Sequence, residues 1–144
     1  MHKLSIPVVA ALALACVPAE GPQMDPGADC MQCHGLAAHY TWTAAGTVFP
    51  ERRSADYQGM AHVYIELTDA DGKFVTMESN PAGNFYTSEN LRFPLTARAR
   101  RGDLHYQMTI PVPATDASGR VASCNSCHNL SPTSGPGGRL IGPP

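Results

Sequence analysis

The sequence lacks the patterns that mark several common classes of protein. It has no basic stripe with interleaved aromatic residues, which argues against a nucleic-acid-binding protein. It has no helical stretch of useful length, and no β-α-β pattern surrounds its cysteines. Glycine and proline are frequent, with 13 residues each, and they favour a turn-rich β protein over a helical one.

Cysteine and histidine are scarce, with 5 and 6 residues in a chain of 144, yet most of the cysteines form two identical motifs. Residues 30–34 and 124–128 both read C-x-x-C-H, the attachment pattern for a c-type haem. Two thiols add across the two vinyl groups of one porphyrin, and the following histidine supplies the proximal nitrogen to the iron. The sequence therefore predicts two haem c groups. Their attachment and proximal residues would be Cys30, Cys33 and His34 in the first motif and Cys124, Cys127 and His128 in the second.

Two other chemistries use C-x-x-C pairs and stay open at this point. A zinc site would use the four thiolates, but it needs segments about ninety residues apart to meet at one ion. A pair of structural disulfides is also compatible with an exported protein. Haem is favoured over both because each pair is followed directly by histidine.

The N-terminus has the form of an export signal. Residues 1–3 are a short positive region, and the apolar run at 6–15 is too short to span a membrane as a stable helix. Ala13-Leu14-Ala15 is a small-x-small cleavage site directly before Cys16. The stretch resembles a bacterial lipoprotein signal, which implies lipidation of Cys16 and a location in the periplasm or at the outer-membrane surface. Ordinary cleavage that leaves Cys16 free is the alternative.

Alternating apolar and polar residues predict strands between the two motifs. The clearest pattern places Ala61, Val63, Ile65 and Leu67 on one side of a strand. Six or so short strands with turn sequences between them predict a mainly β fold. We expect a small antiparallel β-sandwich flanked by short haem-binding C-x-x-C-H segments. The further predicted strands are 41–49, 73–77, 84–87, 95–99 and 104–110.

The predicted organisation follows the chain in order. It consists of a signal peptide at 1–15, a lipid-anchored flexible tether at 16–29, a first haem segment at 30–40, a β-sandwich domain at 41–113, and a second haem segment with a flexible tail at 114–144. Because the motifs flank the predicted sandwich, we expect them to lie apart instead of side by side. The β domain would then set the distance between the two haems.

Four short pieces of the predicted sandwich resemble one family of β domains. They are Gly46-Thr47-Val48, Gly59-Met60-Ala61-x-Val63, Thr68-Asp69-x-x-Gly72 and Gly83-x-Phe85. In this order they resemble carboxypeptidase regulatory-like (transthyretin-like) β-sandwich domains over roughly residues 44–110. The resemblance implies a fold and not a reaction, because such domains are mostly scaffolds and binding modules. The layout of the whole chain is similar to small exported multihaem c-type cytochromes of bacteria.

The ligand in the sixth position of each iron decides its reduction potential. A second histidine gives low potentials suited to electron transfer, methionine raises the potential, and an open site permits peroxide chemistry. His39, His62 and His105 are the candidate distal ligands. His39 follows His34 too closely to reach round the same porphyrin easily, so it is expected to serve the other haem or none. His62 and His105 lie on the polar side of their strands, where a haem on the outer sheet face would meet them.

Methionine competes with histidine for these positions. Met60 lies just before a predicted strand and is the freer candidate. Met108 shares an apolar strand face with Leu104 and Ile110, which predicts that it lies in the core.

The patterns together favour an electron carrier, an exported di-haem c-type cytochrome with two bis-His haems. Its predicted partners are redox proteins of the cell envelope, other copies of the chain, and a membrane through the lipid anchor. A di-haem peroxidase needs an open iron, which the surplus of histidines argues against, and the chain is short for such an enzyme. A haem- or zinc-stapled β-sandwich binding module on the cell envelope is the remaining alternative.

Overall fold

A computed structural model describes residues 21–35, 41–115, 123–131 and 137–144. Several predictions fall outside these ranges: the signal peptide, the lipidation of Cys16 and the role of His39. Within the described ranges no helix is long and apolar enough to cross a membrane.

The described chain is mainly β, as predicted, and its strands form two antiparallel sheets. The larger sheet has the strand order β3-β2-β5-β6, and the smaller sheet pairs β1 with β4. This arrangement is consistent with the predicted small β-sandwich. The strands are β1 (Ala44–Thr47), β2 (Tyr64–Thr68), β3 (Phe74–Glu78), β4 (Asn84–Thr87), β5 (Thr96–Arg101) and β6 (Leu104–Gln107). Two helices of a single turn, α1 (Met31–His34) and α2 (Cys124–Cys127), carry the cysteine motifs.

The β2–β3 hairpin shows how local chemistry fixes the register of the larger sheet. Asp69 Oδ1 accepts hydrogen bonds from the backbone N–H groups of Asp71 at 2.9 Å and Lys73 at 2.8 Å. Gly72 takes a φ of +85°, which only glycine adopts without strain. The resulting register pairs Ile65 with Met77.

The core lies between the two sheets and is filled by the predicted apolar side of β2. Val63, Ile65 and Leu67 are buried, and they pack with Met77 of β3 and Phe85 of β4. Burying such side chains contributes roughly 1.5–3 kcal/mol each to folding, which makes this cluster the main source of stability.

Strand β6 departs from the expected pattern, because its apolar side is exposed. Leu104, Tyr106 and Ile110 are 55%, 46% and 67% exposed. The smaller sheet has only two strands among the described residues, so it does not extend over β6 at the end of the larger sheet. The prediction that Met108 belongs to the core is therefore wrong, and Met108 is partly exposed beside a cavity.

The C-terminal residues 137–144 are packed, which differs from the predicted flexible tail. Phe49 forms a parallel bridge with Ile141, and its backbone N–H donates to Leu140 O at 2.8 Å. Arg139 is 5% exposed, and its guanidinium lies 4.6 Å from the centre of the Phe49 ring. The end of the chain thus forms one wall of the fold.

The described part of the predicted tether is also held in place. Asn84 Nδ2 donates to Met24 O at 2.7 Å, and the Gly27 N–H donates to Thr47 Oγ1 at 2.9 Å. These bonds lead residues 21–29 along the smaller sheet and deliver the first motif to it.

Candidate functional site

Each C-x-x-C-H motif forms one helical turn. In α1 the His34 N–H donates to Cys30 O at 2.9 Å, and in α2 the His128 N–H donates to Cys124 O at 2.8 Å. One turn brings residues three apart to the same side of a helix. Each motif therefore has the spacing that attachment of two thiols to one porphyrin requires.

The two motifs lie side by side, so the expectation that they lie apart is wrong. Ser123 Oγ donates to Asp29 Oδ1 at 2.6 Å, which joins the residue before one motif to the residue before the other. Asn125 Nδ2 donates to Ala28 O at 2.7 Å and lies 3.8 Å from Cys30 Sγ. Between the two motifs the chain forms the strands of both sheets, and it then returns to the first motif.

Asn125 fixes both motifs to the smaller sheet. Its side chain is 2% exposed, accepts from the Thr47 N–H at 3.0 Å and donates to Thr47 Oγ1 at 3.1 Å. Thr47 Oγ1 in turn donates to Asn84 Oδ1 at 2.8 Å. Sequence reasoning missed Asn125 because it occupies a position that the haem pattern leaves open.

Helix α2 packs closely on β1, and this contact depends on Gly46. A Cβ added to Gly46 would lie 2.7 Å from Cys124 Cβ and 2.8 Å from the Phe85 ring. Any side chain at this position would push α2 away from the sheet. The absence of a side chain at Gly46 therefore helps set the position of the second motif.

The surroundings of two motif thiols, Cys30 and Cys124, raise their pKa. Burial raises the pKa of Cys30 to about 11, and the neighbouring Asp29 carboxylate raises it further. Burial, with the nearby Cys30 and Cys127, raises the pKa of Cys124 to about 12. Cys33 is disulfide-bonded in this structure, so its addition to a porphyrin requires prior reduction.

An apolar cavity of about 350 Å³ opens beside the second motif. It lies between that motif, the inner face of the larger sheet and the packed C-terminal residues. Its volume falls in the range of small-molecule and cofactor sites. It is lined by Arg52, Ile65, Leu67, Ala97, Arg98, Ala99, Tyr106, Gln107, Met108, Val112, Cys124, His128, Arg139, Leu140 and Ile141.

His128 faces this cavity in a form suited to binding a metal. Burial lowers its pKa, and the nearby Arg52 lowers it further, so the imidazole is neutral at pH 7. Its Nδ1 is buried and has no hydrogen-bond partner among the described residues. A buried polar atom without a partner is uncommon and costs stability, which marks this ring as a candidate ligand. Cys124, a neutral His128, largely apolar walls and three arginines line this cavity, and these groups fit a covalently attached haem.

The first motif has an aromatic environment instead. The His34 ring stacks on Trp42 with centroids 3.7 Å apart, and Trp42 stacks on Tyr86 at 4.3 Å. The stack ends at a groove of about 420 Å³ between β3 and β4, which Tyr86 and Glu78 line.

Of the predicted distal histidines, His62 and His105 fall within the described residues, and both lie away from the cavity. His62 has a φ of +60°, its side chain is 76% exposed, and its Nδ1 is 2.7 Å from Glu78 Oε1. His105 pairs in register with Arg100, and side chains alternate along a strand. Tyr106 pairs with Ala99, and Ala99 pairs with Ile65 of the core, so the neighbouring His105 points to the opposite face of the sheet.

That opposite face carries a compact charge cluster. Glu66, with a side chain 7% exposed, accepts hydrogen bonds from Arg100 Nε at 2.7 Å and Arg98 Nε at 2.6 Å. These bonds, that of Arg100 first, lower the pKa of Glu66 against the opposing effect of burial. Arg98 and Arg100 are thus both paired with Glu66.

The chain matches no protein-family model, no curated protein and no solved structure. Among the described residues, no three His, Cys, Asp or Glu side chains form a group able to hold a metal ion. The resemblance to carboxypeptidase regulatory-like domains stays a prediction from the sequence. The function therefore has to be argued from the two motifs and their surroundings.

Proposed function

We propose that this protein is an exported di-haem c-type cytochrome that transfers electrons. The observation that carries the proposal is the contact between the motifs, in which Asn125 Nδ2 of the second lies 3.8 Å from Cys30 Sγ of the first. Two attachment sites held side by side suit a protein that passes electrons between two haems. Haem c, when bound, supplies one-electron redox chemistry.

The residues of the chain have separate roles in this proposal. Cys30 and Cys33 hold one haem, and Cys124 and Cys127 hold the other. His34 and His128 are the proximal ligands. The cavity beside the second motif has mainly apolar walls, and the polarity around a haem is one means by which a protein tunes its reduction potential.

The antiparallel β-sandwich serves as the scaffold in this proposal. Its smaller sheet anchors both motifs through Thr47, and its larger sheet supplies the wall of the cavity. His62 stays a candidate distal ligand for the first haem, and His39 stays a candidate for the other haem or for none. His62 is supported by its bond to Glu78, which lines the same groove as Tyr86 at the end of the aromatic stack.

Export and anchoring complete the proposal. A lipid on Cys16 would hold the protein at a membrane facing the periplasm or at the outer-membrane surface, with redox proteins or further copies as partners. The Cys16→Ser variant is expected to move the protein from the membrane fraction to the soluble fraction. A wild-type protein that is soluble from the start would contradict the anchor.

A disulfide-stapled binding module is the second candidate, because Cys33 is disulfide-bonded in the structure. Exported proteins tolerate such bonds, and a small core benefits from them. This candidate predicts a folded protein that carries no haem when produced in the periplasm.

Periplasmic expression with the haem maturation machinery separates the two candidates. The double variants Cys30→Ala/Cys33→Ala and Cys124→Ala/Cys127→Ala should each keep one haem, while the wild type keeps two. Oxidised and reduced spectra should show low-spin haem that can be reduced and reoxidised. A folded wild type without Soret absorbance would exclude the cytochrome and leave the disulfide-stapled module.

A further inference from the structure

We propose that Met108 supplies the sixth ligand to the iron of the haem attached at the second motif, on the side opposite His128. The inference rests on the proposed function, because it needs a haem at Cys124 and Cys127. It replaces the expected bis-His ligation at this motif by ligation through one histidine and one methionine.

The first reason is that Met108 and His128 line the same cavity of about 350 Å³. They reach it from different elements, since Met108 follows β6 in the larger sheet and His128 follows α2. The Met108 N–H donates to Ala97 O at 2.9 Å, which fixes its backbone against β5. The two side chains therefore reach one cavity from separate elements of the fold, as two protein ligands of one iron would.

The second reason is that the residues of the cavity wall beneath Met108 are small. Ala97 and Ala99 of β5 lie in the cavity wall next to the larger Ile65 and Leu67 of β2. Ala99 pairs in register with Tyr106, and Ala97 accepts the backbone bond of Met108. Two alanines where the adjacent strand has long side chains leave space on the sheet beneath Met108.

The third reason is that the competing ligands among the described residues lie elsewhere. His105 points to the opposite face of the sheet, and His62 is bonded to Glu78. Met77 is buried in the core, and Met60 packs against the same core. Among the cavity-lining side chains outside the motif, that of Met108 carries a neutral thioether sulfur, which is a soft ligand.

Tyr106 is the nearest rival, because tyrosine also ligates haem iron in some proteins. It lines the same cavity and is 46% exposed. It therefore serves as the matched control. The variants Met108→Ala and Tyr106→Phe each alter one side chain that lines the cavity, and the two positions lie two residues apart in the chain.

The inference has a consequence for electron flow. Methionine ligation raises the potential of a haem relative to histidine ligation. With two histidine ligands on the first haem and one histidine and one methionine on the second, the first haem would have the lower potential of the two. An electron would therefore enter through the first haem and come to rest on the second.

The test uses the wild-type protein with both haems attached. We expect the ferric protein to show the weak long-wavelength absorption band of sulfur-to-iron charge transfer. The reduced protein should show the strongly shifted NMR signal of one iron-bound methionine methyl group. Two attached haems without either signature would overturn the inference and leave the cytochrome assignment intact, whereas a protein without haem would remove the proposed function itself.

The variants then assign the ligand. Met108→Ala should abolish both signatures and lower the potential of one haem, and Met108→His should restore low-spin ligation at a lower potential without them. Tyr106→Phe should keep both signatures. If the two methionine signatures persist in Met108→Ala, or disappear in Tyr106→Phe, the inference is overturned. The wild-type spectra need no variant to fold, so the inference can be tested even where a substitution prevents folding.

Discussion

Ser123 Oγ donates a hydrogen bond of 2.6 Å to Asp29 Oδ1 across 94 positions of sequence. The same hydroxyl accepts from the Ser126 N–H at 3.1 Å and so caps α2. The Ser123 side chain thus caps the helix of the second motif and joins this motif to the first. This double role makes Ser123 the most direct target for separating the motifs.

The Ser123→Ala variant should destabilise the protein by about 1–2 kcal/mol, since it removes a helix cap and a buried hydrogen bond. Urea unfolding measures the loss. Asp29→Asn keeps an acceptor oxygen and should lose less. A loss in Asp29→Asn as large as that in Ser123→Ala would contradict this expectation and mean that the link between the motifs also requires the negative charge of Asp29.

The Asn125→Ala variant should cost about 1–3 kcal/mol, because it leaves the buried Thr47 N–H without an acceptor. Thermal unfolding of the haem-loaded protein measures this cost. Gln32 is the exposed residue at a comparable open position of the first motif, and Gln32→Ala should change stability by less than about 0.5 kcal/mol. An Asn125→Ala variant as stable as the wild type would show that the hydrogen bonds to Thr47 do not hold the motifs to the smaller sheet.

Glu66 should make stability depend on acid pH. Arg100 and Arg98 lower its pKa below the ordinary value of 4.5, so the folded protein holds the ionised form more strongly than the unfolded chain does. This stabilisation is fully present above the unfolded pKa and is lost as the pH falls through the folded pKa.

The Glu66→Gln variant should therefore lose about 1–3 kcal/mol at pH 7 and little in strong acid, as followed by unfolding between pH 2 and pH 7. Glu89, in an exposed pair with Lys73, is the control, and Glu89→Gln should cost less than about 1 kcal/mol at any pH. A Glu66→Gln loss that stays constant with pH would contradict the linkage.

His105 should be dispensable for the second haem, because it lies on the sheet face opposite the cavity. The His105→Ala variant is expected to leave the visible spectrum and the potential of that haem unchanged. A redox titration followed by absorbance checks both. Loss of low-spin character at the second motif would return His105 to the position that the sequence predicted for it.

Local pattern predicted much of the sheet. The alternation at 61–68 marked the buried side of β2 correctly, since Val63, Ile65 and Leu67 fill the core. The prediction for 84–87 matches β4, and that for 73–77 is one residue from β3. Strands β2 and β3 are short hairpin partners, so their residues carry most of the information that positions them.

Long-range relationships could not be predicted in this way. The apolar side of β6 has the same alternation as β2, but no second layer covers it within the part of the chain that the structure describes, and coverage depends on the other sheet. The meeting of the two motifs depends on Asn125 and Ser123, whose positions the haem pattern leaves open. The packing of the C-terminal residues on Phe49 likewise has no local signal.

The central claim is that two haems are attached side by side in one small β protein. Electron paramagnetic resonance of the oxidised protein tests it most directly, because neighbouring paramagnetic irons alter each other's spectra. The account predicts that the wild-type spectrum differs from the sum of the spectra of Cys30→Ala/Cys33→Ala and Cys124→Ala/Cys127→Ala, each of which keeps one haem. A wild-type spectrum equal to that sum would contradict the side-by-side arrangement, and a wild type without a haem signal would contradict the cytochrome itself.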